Sequence, residues 1–232
     1  GKAYALAVSD GRLYVGTDRG TIHCFGKNAA PTAASTSRQK PSAKPDERST
    51  LFQQAAQDAL AAAKTDQGYC LVLGAGSGRL AREIAERSRF RVIGVEPDPE
   101  KVDAARKMLT DARLYGNRVV IHHGPIDGLP YQKRFANLIV SEESLVSGKL
   151  PSAADIYRVL RPAGGVVAIA APKDSKSVES LKKWAAKVLA GWTVEKRPSG
   201  LLLGTAIRGP LEGAGEWTHF YADPGNSACS RD

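Results

Sequence analysis

From residue 68 onward the chain alternates short apolar runs with stretches in which apolar residues return every three or four positions. The runs GYCLVL (68–73), RVIGVE (91–96), RVVIHH (118–123), ANLIVS (136–141) and GVVAIAA (165–171) read as strands. Between them, GRLAREIAERS (78–88), PEKVDAARKMLTDA (99–112), SAADIYRVL (152–160) and KSVESLKKWAAKVLA (176–190) read as helices. A further helix is expected from Ser49, where Leu51, Ala55, Leu60 and Ala63 recur near the helical period, with Asp46 or Ser49 as its N-cap. Strands this apolar, alternating with helices, predict an α/β, doubly wound, mostly parallel sheet covered on both faces. The closing runs WTVEKR and LLLGTAIR are joined by PSG alone, so they predict a C-terminal antiparallel hairpin.

Upstream the pattern differs. Residues 3–25 read as three short strands broken by the turn signals SDGR (9–12) and TDRG (17–20), a small β-meander with faces that it cannot bury alone. The stretch that follows, GKNAAPTAASTSRQKPSAKPDE, contains no Val, Ile, Leu or aromatic residue and reads as a linker. The expected organisation is a meander over 1–26, a linker over 27–48, the α/β domain over 49–209 and a tail over 210–232. The chain starts at Gly1 without a signal peptide, which suggests a piece of something longer.

Composition narrows the function classes. No run approaches the roughly 20 apolar residues of a membrane span, so a soluble protein with no span is expected. A formal charge of +9 admits an acidic partner. The basic residues, however, lie on helical stretches beside glutamates and without interleaved aromatic rings, which favours solvated faces over a nucleic-acid or lipid surface. Cys24, Cys70 and Cys229 form no CxxC pair, so no metal site and no disulfide framework is indicated.

The chemistry gathers at CLVLGAGSGRL (70–80), where Gly74, Gly76 and Gly78 separate a strand from a helix. Such a turn lets backbone approach a ligand closely, at the carboxyl end of the sheet. Glu96 ends the next strand 18 residues after Gly78, a spacing suited to ribose hydroxyls. A dinucleotide turn would need Gly or Ala at 79, where this chain has Arg79, and no GKS or GKT follows. A nucleoside without a diphosphate fits better.

These segments resemble class I S-adenosylmethionine-dependent methyltransferases. The resemblance rests on VLGAGSGRLA (72–81), VIGVEPDPEKVDAA (92–105), HHGPIDGLPY (122–131), NLIVSEESL (137–145) and YRVLRPAGGVVAI (157–169). It implies a Rossmann-like seven-stranded sheet whose last strand is antiparallel, S-adenosylmethionine as cofactor and S-adenosylhomocysteine as product. It further implies that Gly74, Ala75, Gly76 and Gly78 lie along the cofactor and that Glu96 binds the ribose. Pro97 and Ile126 would sandwich the adenine, Asp127 would meet its amine, and Ser141 and Glu142 would face the methyl group, with Glu142 or Glu143 as candidate general base. Three positions depart from the family pattern: Val72, Pro125 and Asn137 stand where acids are common. Each departure is expected to remove a polar contact that orients the cofactor or its loop, which keeps open a decayed, non-catalytic module as the alternative.

The two ends resemble pieces of quinoprotein-type (PQQ-like) β-propeller blades: AYALAVSDGRLYVGTDRGTIHCFG at the start, WTHFYADPGN near the end. This implies a methyltransferase domain inserted in a propeller whose remainder is missing from this chain. The acceptor would be a small molecule or a substrate presented by the propeller; nucleic acid is not favoured. A cytosolic cofactor favours a cytoplasmic setting, although many such propellers are exported.

Overall fold

The computed structural model describes residues 2–18, 21–27, 47–172, 175–214 and 224–225. The expected linker falls almost wholly outside them, as do the candidate cap Asp46, Cys229 and nearly all of the tail resembling a blade. Two compact units divide the chain, Gly1–Lys40 and Pro41–Asp232.

In the first unit β1 (Ala3–Ser9), β2 (Arg12–Thr17) and β3 (Ile22–Phe25) form an antiparallel sheet in sequential order. Asp10 and Gly11 both have positive φ, 49° and 68°, as a tight two-residue hairpin turn requires. Register aligns Val8, Leu13 and Phe25 across the sheet, and Leu6, Val15 and His23 beside them. Tyr4, Leu6, Val8, Ile22 and Phe25 are exposed.

The second unit holds a seven-stranded sheet, order β6-β5-β4-β7-β8-β10-β9. Its strands are β4 (Gln67–Leu73), β5 (Arg89–Glu96), β6 (Val119–His123), β7 (Leu138–Ser141), β8 (Val166–Ala171), β9 (Thr193–Lys196) and β10 (Leu202–Ile207). The first five pair in parallel, and β10 enters between β8 and β9, antiparallel to both. The expected fold class is thus observed, with the hairpin completing the sheet.

One face carries α1 (Glu47–Ala62), α2 (Arg79–Arg87) and α3 (Pro99–Asp111) over Cys70, Val72, Val92, Ile121, Leu138 and Val140. The other carries α5 (Ala153–Val159) and α6 (Ser175–Trp184) over Leu71, Leu73, Ile139, Val167 and Ile169. Alternate residues of one strand therefore feed two cores, which is why the strands read as unbroken apolar runs.

Two local differences from the pattern have physical causes. The helix expected over 176–190 stops at Trp184. The Trp192 indole donates to the Leu181 carbonyl at 2.9 Å, the carbonyl that a continuing helix would offer to the Ala185 amide. Directly after β7 an extra helix, α4 (Glu142–Ser147), takes residues that read as loop, with Ser141 as its N-cap.

Candidate functional site

The chain enters the sheet at β4, runs outward to β5 and β6, then crosses to β7 on the other flank of β4. This reversal is the switch point at which open parallel sheets bind ligands. Leu73 is in register with Val95 on one side and Ser141 on the other. The next residues, Gly74, Glu96 and Glu142, therefore stand side by side where the three strands end.

The turn after β4 needs its glycines for separate reasons. Gly74 and Gly76 have φ of 57° and 48°, which side chains disfavour. A Cβ at Gly74 would lie 2.5 Å from Glu143 Cβ, and one at Gly76 would lie 2.9 Å from a Glu142 carboxylate oxygen. Gly78, the N-cap of α2, faces α3 instead: a Cβ there would meet Ala105, Met108 and Leu109 at 3.1–3.4 Å. Close helix packing, which the G-x-G-x-x-G pattern assigns to the following position, is supplied here by Gly78. Ala75 is buried, and its amide bonds to the Val95 carbonyl at 2.9 Å, folding the turn over β5.

Around this turn the backbone amides meet carboxylates. Gly76 N–H donates to Glu96 Oε2 at 2.7 Å, and Asp98 N–H donates to its other oxygen at 3.1 Å. Ser77 N–H and Ser77 Oγ–H both donate to Glu142 Oε1 at 3.0 Å, and Leu80 N–H donates to Glu142 Oε2 at 3.0 Å. Glu96 and Glu142 are each 3 % exposed. Burial pushes the Glu142 carboxyl up to about 7; the bonds from Leu80 and Ser77 oppose that rise, and the Glu96 charge adds to it. Glu143 lies against Gly74, pairs with Lys149 Nζ at 3.2 Å through Oε1, and keeps Oε2 buried with no hydrogen-bond partner among the described residues.

The other candidates are placed as follows. Pro97 is exposed and its carbonyl accepts from His123 Nε2 at 3.0 Å, while Ile126 is buried. Asp127 accepts from the Ser152 amide at 2.8 Å, so one of its oxygens is directed at the start of α5. The Ser141 hydroxyl accepts from the Ser144 amide at 3.0 Å, capping α4. His122 and His123 are exposed, as surface residues would be, with His122 against the Tyr131 hydroxyl at 2.7 Å. Of the departures from the family pattern, Asn137 is corrected by its position. It lies at the amino end of β7, opposite the glycine turn, where its Oδ1 accepts from the Tyr69 amide at 3.1 Å. An amide there stitches two strands together, away from the glycine turn. Val72 is fully buried in the core under α2.

Sequence reasoning missed the partnership between Glu142, directly after β7, and the amides that open α2. A signal was present: two glutamates directly after a strand that flanks the glycine strand at the switch point.

Residues 70–164, less than half of the chain, match the family model of a methyltransferase domain. That match spans the glycine turn, Glu96 and Glu142. No curated protein matches the chain. Solved structures share its fold. A protein of Methanococcus maripaludis assigned as an S-adenosylmethionine-dependent methyltransferase superposes with a TM-score of 0.56 at 19 % identity, covering 69 % of this chain and 86 % of its own. An S-adenosylmethionine-dependent methyltransferase of Aquifex aeolicus gives 0.54 at 13 %, covering 70 % and 93 %. The [4+2]-cyclase SpnF gives 0.54 at 14 %, covering 70 % and 82 %. The architecture is that of a Rossmann-like methyltransferase fold. Among the described residues no helix is long and apolar enough to cross a membrane, and no cluster of His, Cys, Asp and Glu is arranged to hold a metal ion.

Proposed function

We propose that this chain transfers a methyl group from S-adenosylmethionine to a small-molecule acceptor. One observation carries the reading. A glycine turn leading into a helix ordinarily offers free amides to an anion. Here the Gly76, Ser77 and Leu80 amides already donate to Glu96 and Glu142, and Glu143 lies alongside. Carboxylates so placed repel a pyrophosphate and favour a cationic ligand. The residues fit the cofactor. Each oxygen of Glu96 accepts one backbone amide and retains a lone pair for a ribose hydroxyl. Gly74 and Gly76 keep side chains out of the strip between them. Pro97, directly after β5, and Ile126, in the loop after β6, are the apolar residues read against the adenine.

The bound cofactor would supply an electrophilic methyl group on a sulfonium. The protein's part is then to hold acceptor and methyl in line and exclude water, which is worth roughly 7–11 kcal/mol without a covalent role for any side chain. Glu142, with three donors upon it, positions the turn. Of the two candidates for a general base toward the acceptor, Glu142 and Glu143, the reading favours Glu142, whose carboxyl is raised to about 7. The short loops around the site suit a small acceptor.

A second reading is a non-catalytic module, and the burial of Val72 where the family commonly has an acid favours it. A cyclase shares the fold, so architecture alone does not fix the reaction. We also read the first unit as a blade fragment of a propeller completed outside this chain. Its support is a sheet with apolar side chains exposed on both faces, Leu6 and Val8 on one and Ile22 on the other. The cofactor's cytosolic location favours a cytoplasmic setting, whereas the propeller reading is compatible with an exported one.

Thermal unfolding tests the cofactor reading. A ligand at a hundredfold excess over Kd raises Tm by about 5–10 °C for a domain of this size. S-adenosylmethionine and S-adenosylhomocysteine are expected to do so and NAD is not; equal stabilisation by NAD would refute it.

A further inference from the structure

We propose that Glu143 Oε2 accepts a hydrogen bond from the α-ammonium group of the cofactor's methionine portion; this rests on the S-adenosylmethionine reading above. Glu143 sits against the first residue of the glycine turn. Its Cβ is 2.5 Å from where a Gly74 Cβ would be, and its Oε2 is 3.2 Å from the same point. Gly74 is thus the residue whose lack of a side chain makes room for Glu143. The two oxygens of this carboxylate differ in state. Oε1 pairs with Lys149, whereas Oε2, on a side chain that is 27 % exposed, is itself buried and has no hydrogen-bond partner among the described residues.

A carboxyl oxygen out of water without a donor is costly, so its position calls for a donor. The neighbouring amides cannot answer it, because those of Gly76, Ser77 and Leu80 are held by Glu96 and Glu142. The cofactor has two cationic centres. The sulfonium has no hydrogen to donate, whereas the ammonium has three. Of the two, only the ammonium can donate the hydrogen bond that Oε2 lacks. Val72, two residues before Gly74, is apolar and fully buried, so the strand itself supplies no acid to this end of the turn. Glu143 brings one from the opposite flank of the switch point.

The test is titration calorimetry on the whole chain, wild type, Glu143→Gln and Lys149→Met, with three probes. S-adenosylhomocysteine has the ammonium and the carboxylate, decarboxylated S-adenosylmethionine has the ammonium alone, and 5′-methylthioadenosine has neither. Glu143→Gln is expected to weaken the first two at least tenfold and to leave methylthioadenosine within twofold, which also reports an intact site. Lys149→Met is expected to leave all three within threefold. Equal weakening of all probes by Glu143→Gln, weakening of none, or the same pattern from Lys149→Met would overturn the assignment. If the wild type binds no probe, the S-adenosylmethionine reading itself falls, and the assignment with it.

Discussion

The two ends of the central sheet treat polar groups in opposite ways. At the amino end they are closed among themselves. Asn137 bonds to the Tyr69 amide, and the Arg118 guanidinium donates to the carbonyls of Ala85, Ser88 and Phe90 at 2.6–3.3 Å. Asp66 and Arg89 form an exposed bidentate pair. At the carboxyl end, three carboxylates gather round one turn. Two of them are buried, one has a raised affinity for its proton, and one keeps an orphaned oxygen. The first arrangement serves stability, and the second stores unmet demand that a ligand can satisfy.

The contrast predicts effects of decreasing size. Gly74→Val drives a branched side chain into Glu143 at a φ of 57°, costing about 1–3 kcal/mol of backbone strain besides the clash. Cofactor binding by calorimetry should be lost, and Tm should fall. Next is pH. The Glu142 carboxyl holds its proton to about 7 in the folded state and to the ordinary 4.5 when unfolded. Between those values the folded state binds more protons, so Glu142 should erode stability by about 3 kcal/mol as pH rises from 4.5 to 7, and no further above that. Denaturant titrations of wild type and Glu142→Gln across pH 4.5–8 should show this slope in the wild type only.

Arg118→Ala at the other end should cost about 2–3 kcal/mol of stability, since charged hydrogen bonds to part-buried carbonyls are removed. Cofactor affinity should stay within twofold; a large loss would blur the division between the ends. Smallest of all is Asp66→Asn. The Arg89 side-chain hydrogen bond holds the Asp66 carboxyl below its usual value, but the pair is exposed and screened. Neither Tm at physiological salt nor binding should change measurably.

Much of this was legible in the sequence, for reasons visible in particular residues. The parallel strands were, because their middles are apolar on both faces, as Leu71 and Val72 show by entering opposite cores. The glycine turn and Glu96 were legible because few residue types permit that backbone and that ligand. Less legible was anything set by contacts between distant segments. That Glu142 closes on Ser77 and Leu80, 65 and 62 residues away, depends on the strand order that brings β7 beside β4. Asn137 misled for a related reason, since the motif fixes its strand while only register shows that it lies at the far end. Helix α6 ended early because an indole eleven residues on captured the Leu181 carbonyl, which no local period reports.

The central claim is that the carboxyl end of the sheet holds a cationic nucleoside cofactor without a diphosphate. Titration calorimetry of the chain with S-adenosylmethionine, S-adenosylhomocysteine and NAD, repeated on Glu96→Ala, tests it most directly. Micromolar binding of the first two, near −8 kcal/mol, is expected, lost in the variant, with none of NAD. Binding of NAD, or no binding of any of the three up to millimolar, would contradict it.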